Sequence, residues 1–391
     1  MRITQAVFGV FHHFALAREL DRRGHLQTIY STWPWARLKR EGVPRSKVET
    51  FPWLHTPETL LSRYNLLPRR LSDDLGVLNT LRFDDWTARR IPHDTDALIA
   101  IAGAGLKTGR LVQQRGGIFL CDRGSTHQRY QEQIVSEEYR RWGVTLPVSD
   151  IRDTLREEEI YAQADAITVP STFARRSYEE MGVPSAKLHV LPYGADLGSS
   201  QFTPLLDAER DPSDGFNVLF AGGVSLRKGV PYLLEAFARL QVPRKRLRLA
   251  GSLEPCLKQV LGRLPLQDVE LLGPLPKAEL TALMRRSQVL VLPSIEDGFG
   301  LVMAEAMACG CAILASTNTG AEDLYTEGRE GFIVPIRDAV ALADRLQLLA
   351  EEPERLAAMR AAALAHVQQL GGWSEYGDGW ERLLLQLTGK Q

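Results

Sequence analysis

The chain has 391 residues, of which 44% are hydrophobic and 24% are charged, and its formal net charge at pH 7 is −1. This length predicts two domains, and the composition is typical of globular proteins. The near-neutral charge argues against nucleic-acid binding, and the sequence lacks the apolar run of about 18 residues that a membrane-spanning helix needs.

The first half of the chain alternates between strand and helix patterns. It opens with a strand at 3–8, a turn at Gly9 and a helix at 11–23, a pattern that favours a folded domain over a secretion signal. Residues 33–90 show only short helical patterns among scattered Pro and Trp. Further elements of this half are predicted as strands at 27–31, 97–102, 117–121, 166–169 and 189–192 and helices at 127–142, 152–164 and 172–181.

Basic residues are concentrated at the start of the chain. Residues 1–70 carry 12 Lys and Arg against 5 Asp and Glu, and Trp33, Trp35, Phe51 and Trp53 lie among them. This combination is typical of a surface that contacts a membrane, and a solvated region around core tryptophans is the alternative. The 4 cysteines form no C-x-x-C pair, which predicts reduced thiols. We therefore expect a cytoplasmic protein, with peripheral contact at the inner face of a membrane as one interpretation.

A polar loop follows the strand predicted at 117–121. Asp122, Arg123 and His127 in this loop are side chains that fit the wall of a ligand cleft. The alternative is a network that caps the following helix, with Ser125 or Thr126 as the N-cap residue. Two further histidines lie beside the first turn and could approach the same cleft or be structural; they are His12 and His13.

The second half repeats the strand–helix alternation more regularly. Its strands are predicted at 217–221, 246–250, 269–272, 289–292, 312–315 and 331–334, with helices between them. Short strands separated by helices form parallel sheets, which bind ligands at the carboxyl ends of their strands. We therefore predict an α/β fold of two facing Rossmann-like domains with a cleft between them. The domains are predicted at 1–195 and 196–370, with a linker at 193–215 and a final helix within 371–391.

A glycine-rich turn with two cations follows the first strand of the second half. Gly222 and Gly223 end the strand, and Arg227 and Lys228 precede Gly229 and a helix. Glycines allow backbone N–H groups to approach a ligand, and the cations neutralise negative charge. The turn therefore fits a diphosphate, and a solvated charge pair at a helix start is the alternative.

The segment PSIEDGFGLVMAEAMACG begins at Pro293. Glu296 and Asp297 precede the tight turn Gly298–Gly300, and a helix containing Glu305 follows. The N-terminus of a helix attracts anions, whereas carboxylates beside it need hydroxyl groups to bind. One ligand with a phosphate end and a hydroxyl-rich end meets both needs, and a nucleotide sugar is such a ligand.

This segment resembles the donor-site signature of the family-4 retaining glycosyltransferases, in which an acid stands eight residues before a glutamate and brackets a G-F-G-L turn. Asp297 holds the first position, where the family usually has Glu, and Glu305 holds the second. The turn at Lys228 also resembles the family, although Gly223 stands where the family has an arginine. The resemblance covers the whole chain in its organisation and is specific over residues 217–335.

The resemblance implies a GT-B fold, whose last helix crosses back to the first domain. It implies that Lys228 and Arg227 stabilise the leaving diphosphate of a nucleoside-diphosphate sugar. Asp297 would contact the transferred sugar with support from Glu296, and Glu305 would bind the ribose. The other donor-side positions are Gly9, Gly223, Gly251, Ser252, Leu275, Gly298, Phe299, Gly300 and Leu301. The acceptor-side positions are Asp122, Arg123 and His127, the last of which is also expected to be catalytic.

The sequence therefore predicts a retaining glycosyltransferase of polysaccharide biosynthesis that moves a sugar to a hydroxyl group of a glycan, a lipid-linked or a small-molecule acceptor. No metal or other cofactor is expected, because two cations already face the diphosphate and no Asp-x-Asp pair stands at a strand end. A nucleotide-sugar epimerase of the same architecture is one alternative, and it would need acid and base groups around the sugar ring. A catalytically silent donor-binding protein is the other.

Overall fold

The apolar runs of the first half pair into a parallel sheet of seven strands in the computed structural model, which describes residues 1–63, 68–146, 150–195 and 215–389. The strands are β1 (Ile3–Val7), β2 (Leu26–Ser31), β3 (Val48–Thr50), β4 (Ala97–Ile101), β5 (Ile118–Asp122), β6 (Ala166–Val169) and β7 (Leu188–Val190). Parallel neighbours need a crossover, and helices supply it. The helices are α1 (His13–Arg22), α2 (Trp35–Leu38), α3 (Pro52–Arg63), α4 (Arg69–Ala88), α5 (Leu106–Gln114), α6 (Gln128–Arg141), α7 (Ile151–Gln163) and α8 (Thr172–Glu180).

The second half forms a parallel sheet of six strands within residues 215–389. The strands are β8 (Phe216–Ala221), β9 (Lys245–Ala250), β10 (Val269–Gly273), β11 (Val289–Leu292), β12 (Ala312–Ser316) and β13 (Gly331–Val334). The helices are α9 (Val230–Arg239), α10 (Pro255–Lys258), α11 (Lys277–Arg286), α12 (Val302–Ala308), α13 (Ala321–Leu324), α14 (Ala339–Glu351), α15 (Pro353–Val367) and α16 (Gly372–Thr388). Every residue of β8, β11 and β12 is buried, which is why these strands are apolar apart from Asn217 and Ser316.

Both sheets have a doubly wound strand order. The first runs β3-β2-β1-β4-β5-β6-β7 and the second β10-β9-β8-β11-β12-β13. The order reverses between β1 and β4 and between β8 and β11, and open α/β sheets bind ligands at such switch points. The cation-bearing turn, with Arg227 and Lys228, follows β8, and the acid-bearing turn, with Glu296 and Asp297, follows β11. The order of the strands in the sheet therefore brings the two predicted motifs together. The predicted α/β fold with two Rossmann-like sheets is confirmed.

Residues 33–90 are more regular than the sequence indicated. They contain the edge strand β3 and the helices α3 and α4, the second of which has 20 residues. Leu71, Leu78 and Leu81 on α4 are exposed, so its apolar residues do not form the single stripe from which a helix is recognised. The linker predicted at 193–215 lies mostly outside the described residues, and the domain boundary beside it stays a prediction.

The last helix packs on the first sheet. Trp380 of α16 is fully buried, and with Leu384 it joins a core that includes Phe14 of α1. Arg23 forms an ion pair with Asp378 at the edge of this contact. The helix therefore links the end of the chain to its beginning. Among the described residues, none of the helices combines the length and hydropathy that crossing a bilayer requires.

The packing of α16 predicts a large loss of stability for Trp380→Ala. Truncating a fully buried tryptophan costs about 3–5 kcal/mol, because packing is lost and a cavity is left. The measurement is urea unfolding followed by circular dichroism. Trp53→Ala is the matched control, because Trp53 is 74% exposed, and its free energy of unfolding should change by less than about 0.5 kcal/mol. Equal unfolding midpoints for the two variants would contradict the packing described here.

Candidate active site

The predicted cations and acids of the second domain pair with one another. Arg227 and Lys228 follow β8, and Glu296 and Asp297 follow the neighbouring strand β11. Lys228 Nζ lies 2.5 Å from Asp297 Oδ2, and Arg227 Nη1 lies 2.8 Å from Glu296 Oε2. Each cation is therefore paired with an acid, and an anionic ligand would have to replace an acid as the partner of a cation.

Gly229 explains how closely the two turns approach. Its φ is +67°, and a Cβ built on it would lie 1.9 Å from the carbonyl oxygen of Pro293. Only glycine tolerates both conditions. The first turn of α9 can therefore lie directly against the end of β11, and this contact places Lys228 beside Asp297.

Glu296 is a fully buried carboxylate that joins the two domains. Its oxygens accept hydrogen bonds from Ser125 Oγ at 2.8 Å, Thr126 Oγ1 at 2.9 Å and Gln131 Nε2 at 2.7 Å, in addition to the pair with Arg227. Burial alone would raise the pKa of Glu296, but Arg227, Gln131 and Ser125 hold that pKa below its ordinary value. The structure therefore places Glu296 in a tie between domains, with its hydrogen bonding already satisfied by protein groups.

Gly298 marks a close approach of the two domains. A Cβ built on Gly298 would lie 2.5 Å from the carbonyl oxygen of Gly124 and 2.6 Å from Ser125 Cα. Its own carbonyl oxygen accepts a hydrogen bond of 2.6 Å from Ser171 Oγ. Any side chain at this position would push the domains apart. Gly300, with a φ of +83°, completes the tight turn.

The remaining donor-side positions lie along the same edge of the second sheet. Gly223, Gly251–Ser252 and Leu275 follow the adjacent strands β8, β9 and β10. The N–H of Gly251 donates to the carbonyl of Gly273 at 2.8 Å, which ties the last two turns together. Gly223 is exposed and has open space above its Cα. Together these turns form a shelf of accessible backbone.

Glu305 faces the end of this shelf. It lies on α12, and its Oε1 is 3.6 Å from Lys277 Nζ at the start of α11. Lys277 stands two residues after Leu275, so Glu305 lies beside the turn that follows β10. Leu301 precedes α12 and lines the cleft described below, whereas Phe299 is buried with its ring 5.6 Å from that of Tyr193.

A cavity of about 630 Å³ separates the two domains at this point. Its walls include His12, Arg123 and Ser125 from the first domain, Leu301 from the second, and Trp373 from α16. It opens at the carboxyl ends of strands from the first sheet and beside the acid-bearing turn of the second. The cleft predicted from the sequence is therefore present and is lined by residues from both domains.

The first-domain wall of the cleft contains a histidine held by a carboxylate. Asp122 Oδ2 lies 2.8 Å from His12 Nε2, and Asp122 Oδ1 accepts a hydrogen bond of 2.9 Å from Thr168 Oγ1. Burial alone would raise the pKa of Asp122, but His12 and these bonds hold that pKa below its ordinary value. The His12 ring is stacked between His13 and Tyr193, at centroid distances of 4.5 and 4.3 Å. His12 is thus a rigid, oriented member of the site.

The turn that carries His12 is anchored at Gly9. The N–H of Gly9 donates to Thr32 Oγ1 at 3.1 Å, and its carbonyl accepts from Ser31 Oγ at 2.7 Å. The N–H and the carbonyl of Gly9 therefore both form hydrogen bonds within the protein, and these bonds fix the turn to the end of β2. Phe11, farther along the turn, is exposed in the cleft with a φ of +41°. Strained backbone of this kind concentrates at functional sites.

His127 has a structural position. It is the N-cap of α6, where its Nδ1 accepts from the N–H of Arg129 at 3.2 Å, and its ring packs between Tyr161 and Tyr178. Burial lowers the pKa of His127 to about 4. The N-cap is therefore His127, whereas the two residues predicted for that role, Ser125 and Thr126, bind Glu296 instead. His127 is not among the residues that line the cleft cavity, and its contacts are those of a helix cap.

Arg123 lies in the cleft wall but is already paired. Its Nη1 donates to Glu157 Oε1 at 2.7 Å and its Nη2 to Gln128 Oε1 at 2.6 Å. Burial alone would lower the pKa of Arg123, but Glu157 raises it above its ordinary value. Arg123 therefore links the wall of the cleft to Glu157 and Gln128.

Within the described ranges, one group of side chains has the donor atoms of a metal site. The nitrogen and oxygen atoms of His12, His13 and Asp122 lie within 4.8 Å of one another. Burial and the neighbouring His12 lower the pKa of His13 to about 3. The 2.8 Å contact of His12 with Asp122 is that of a direct hydrogen bond. The expectation that no metal is needed stays a prediction.

The sequence did not indicate Gln131, Ser171 or Tyr193 as site residues. Gln131 and Ser171 contact the acid-bearing turn from more than 120 positions away in the chain, and Tyr193 packs on His12. Contacts over such separations leave no local periodicity or motif. Ser171 could be recognised in part from the sequence, because serine is a preferred N-cap residue and Ser171 is the N-cap of α8.

Comparison with known proteins supports the sequence resemblance. Residues 205–366 match the family described as glycosyl transferases group 1. A D-inositol 3-phosphate glycosyltransferase of Pseudarthrobacter chlorophenolicus is 30% identical over 225 residues, which are 54% of this chain and 53% of that protein. A protein of the same name from Thermomonospora curvata is 29% identical over 309 residues, 72% of this chain and 69% of that protein. The chain spans about half the length of the first of these relatives.

Solved structures show the same fold over the full length. The sucrose-phosphate synthase of Thermosynechococcus elongatus has a TM-score of 0.71 and 21% identity, with 100% of both chains covered. Anabaena HepE in complex with UDP has a TM-score of 0.68 and 17% identity, with 99% of this chain and 100% of that chain covered. These matches confirm the predicted GT-B fold. The family-4 assignment is compatible with them and stays a prediction.

The buried position of Glu296 predicts a pH-dependent loss of stability for Glu296→Gln. Because its pKa in the folded protein is lowered from the ordinary value of 4.5, the carboxylate stabilises the fold above pH 4.5 and loses this effect as pH falls through the folded-state pKa. At pH 7 the substitution should cost about 1–3 kcal/mol, and the cost should shrink below pH 4.5. Urea unfolding at several pH values measures the difference in unfolding free energy between the variant and the parent.

Asp344→Asn is the control for this experiment, because Asp344 lies exposed in the middle of α14. Its free energy of unfolding should match the parent at every pH. A cost for Glu296→Gln that is the same at acid and neutral pH would contradict the ionised tie between the domains.

Proposed function

We propose, from a GT-B fold whose second half matches the group 1 glycosyltransferases, that the chain transfers a sugar from a nucleoside-diphosphate sugar to a hydroxyl group of an acceptor. The observation that carries this proposal is the meeting of Lys228 and Asp297 at the switch point of the second sheet, beside an interdomain cleft. The ammonium group of Lys228 suits a diphosphate, and the carboxylate of Asp297 suits sugar hydroxyls. Retention of the anomeric configuration and independence of metal are part of the proposal.

Donor binding in this proposal rearranges the ion pair between Lys228 and Asp297. An incoming diphosphate takes over Lys228, whose charge then stabilises the negative charge that builds up on the leaving group. Asp297 is released from this pair and accepts hydrogen bonds from the hydroxyl groups of the transferred sugar. The exchange keeps both groups paired before and after binding, so no isolated buried charge is formed.

The other end of the donor lies along the backbone shelf. Glu305 accepts hydrogen bonds from the ribose hydroxyls, and the turn at Leu275 contacts the base through backbone groups. In a retaining transfer the leaving phosphate takes the proton of the acceptor hydroxyl, so the enzyme supplies charge stabilisation and positioning and needs no nucleophile of its own. UDP-glucose is the first donor to test, because HepE, which shares the fold, is recorded in complex with UDP and with UDP-glucose.

A second candidate is transfer with inversion, and the contact between His12 and Asp122 favours it. A carboxylate that orients a histidine is the arrangement of a general base. With Nε2 committed to Asp122, Nδ1 is the ring nitrogen left to take the proton of an acceptor hydroxyl. Direct attack assisted by a base inverts the anomeric centre, as it does in inverting glycosidases. No comparable observation favours the epimerase or the silent binding protein.

Peripheral contact with a membrane through residues 1–70 stays part of the proposal, together with a cytoplasmic location. Trp53 is exposed and available for such a contact. Trp33 is used differently, because the guanidinium of Arg37 lies 3.8 Å from its ring centroid. Vesicle sedimentation with and without anionic lipid, compared for the parent and Trp53→Ala, tests this contact.

Incubation with UDP-glucose and a panel of sugar acceptors tests the proposed reaction. Transfer with retention should give the α-linked product, as judged from the coupling constant of the anomeric proton, and UDP-glucose should raise the melting temperature. The rate should be unchanged in EDTA. A β-linked product would select the inverting candidate, loss of rate restored by Mn²⁺ would refute metal independence, and isomerised donor without transfer would refute the transferase.

Lys228→Ala should lower kcat strongly. The lost contact strengthens as the diphosphate leaves, and contacts of this kind contribute about 2–4 kcal/mol, or roughly 30- to 1000-fold in rate. Lys258→Ala is the matched control, because Lys258 is exposed at the end of α10, away from the cleft. Thermal melting of both variants checks that the fold is kept. Equal turnover of Lys228→Ala and the parent would remove Lys228 from the site.

A further inference from the structure

A buried group of two histidines and one aspartate lies where the first helix meets the first sheet. His12 is the N-cap of α1, His13 is its first residue, and Asp122 ends β5. Asp122 Oδ2 lies 2.8 Å from His12 Nε2 and 3.6 Å from His13 Nε2. One carboxylate oxygen is therefore approached by the same ring nitrogen of two histidines.

His13 lacks a hydrogen-bond partner although it is completely buried. Its side chain has no exposed surface, and neither Nδ1 nor Nε2 bonds to any group that the structure describes. Buried polar atoms are normally satisfied, because burial removes the bonds that they would form with water. The distance from His13 Nε2 to Asp122 is too long for a hydrogen bond. His13 therefore directs a nitrogen atom at a carboxylate without bonding to it.

His13 does not supply the positive charge that a buried carboxylate needs. Burial and the neighbouring His12 lower the pKa of His13 to about 3. The ring is therefore uncharged at pH 7, and the neutral imidazole is the form that binds metal ions. Within the described ranges, Asp122 forms no ion pair with a lysine or an arginine; its charged neighbours are the two histidines. The group thus has room for a cation in its charge balance.

The spacing of the donor atoms suits a small divalent ion. Zinc lies about 2.0–2.2 Å from a histidine nitrogen or a carboxylate oxygen, so that the ligands of a tetrahedral zinc ion are about 3.3 Å apart. The distances of 2.8 and 3.6 Å to Asp122 Oδ2 lie on either side of this value. All the ligand atoms of the group lie within 4.8 Å of one another. Small side-chain rotations bring the three atoms to one ion.

The donor set and its surroundings favour zinc. Two imidazoles and a carboxylate are ligands that zinc accepts, whereas Mg²⁺ and Ca²⁺ take mainly oxygen ligands. Asp122 Oδ1 accepts a hydrogen bond of 2.9 Å from Thr168 Oγ1, and bonds of this kind orient the ligands in metal sites. The His12 ring is held by stacking on Tyr193. Asp122 and His12 are therefore oriented before an ion arrives.

We propose that His12, His13 and Asp122 bind a zinc ion, with a water molecule from the cleft as the fourth ligand. His12 lines the cleft, so the ion and the water reach the group from that side. The ion joins the turn before α1 to the end of β5 and gives His13 a partner. Lys228 and Asp297 take no part in this site, so it is separate from the diphosphate, whose transfer is proposed to need no metal. The inference does not rest on the proposed transferase function.

Metal titration of the full chain, without an affinity tag, tests the site. The protein is freed of metal with a chelator and titrated with Co²⁺, which replaces zinc and whose visible absorption reports its ligands and geometry. Co²⁺ should bind once per chain with the absorption of a tetrahedral site, Zn²⁺ should displace it, and Mg²⁺ should not. Zn²⁺ should also raise the melting temperature. Absence of this absorption, or Co²⁺ that Zn²⁺ does not displace, would overturn the proposal.

Substitution of the ligands locates the ion. Asp122→Asn and His13→Gln each remove one ligand, and the affinity for Zn²⁺ should fall at least about tenfold, because the loss of even an outer hydrogen-bond partner costs roughly 10- to 100-fold. His25→Gln is the matched control. His25 Nε2 lies 2.7 Å from Glu381 Oε1, and this pair is not part of a three-ligand group among the described residues. The control should bind Zn²⁺ like the parent.

His12→Gln provides a second substitution in case the buried variants do not fold. The side chain of His12 reaches the cleft, whereas that of His13 is fully enclosed, so the change at His12 disturbs the core less. Melting temperatures without metal show which variants keep the fold. Folded variants at these positions that bind Zn²⁺ as tightly as the parent would refute the assignment, as would a loss of affinity confined to His25→Gln.

Discussion

The buried carboxylate of Glu296 is the constraint on which the rest of the site depends. A charged group without solvent is stable only when cations and hydrogen-bond donors surround it. Here one cation comes from the turn after β8, and the donors Ser125, Thr126 and Gln131 come from the first domain. Glu296 can therefore be satisfied only while the two domains are in contact, and this contact fixes where the cleft lies and which residues face it.

Other interdomain contacts reinforce the same arrangement. Asp323 accepts from the N–H of Thr172 at 2.8 Å, so that a residue of one domain caps a helix of the other. Glu138, fully buried on α6, accepts from Tyr232 at 2.8 Å and from Arg337 at 2.6 Å. These bonds surround the close approach at Gly298. The contact between the domains therefore rests on several buried polar bonds besides those of Glu296.

The two sides of the cleft differ in electrostatic character. The second-domain side presents two cations, Arg227 and Lys228, each paired with an acid. The first-domain side presents His12, which is held by Asp122. The two walls of the cleft therefore offer different partners to a ligand, charged side chains on one side and an oriented imidazole on the other.

The sequence by itself determined the fold class, the positions of most strands along the chain, and the two motifs after β8 and β11, because hydrophobic period and glycine-rich turns are local signals. It did not predict the helices within residues 33–90, where exposed leucines on α4 obscure the period. Only the tertiary structure decided that Glu296 is a tie between domains, that His127 caps a helix, and that His12 is held in the cleft by Asp122. These roles depend on contacts such as that between Ser125 and Glu296, 171 positions apart, and on burial, which changes what a charged or polar side chain needs. A contact partner so far away in the chain, and the burial of a side chain, cannot be recognised from the residues that neighbour it in the sequence.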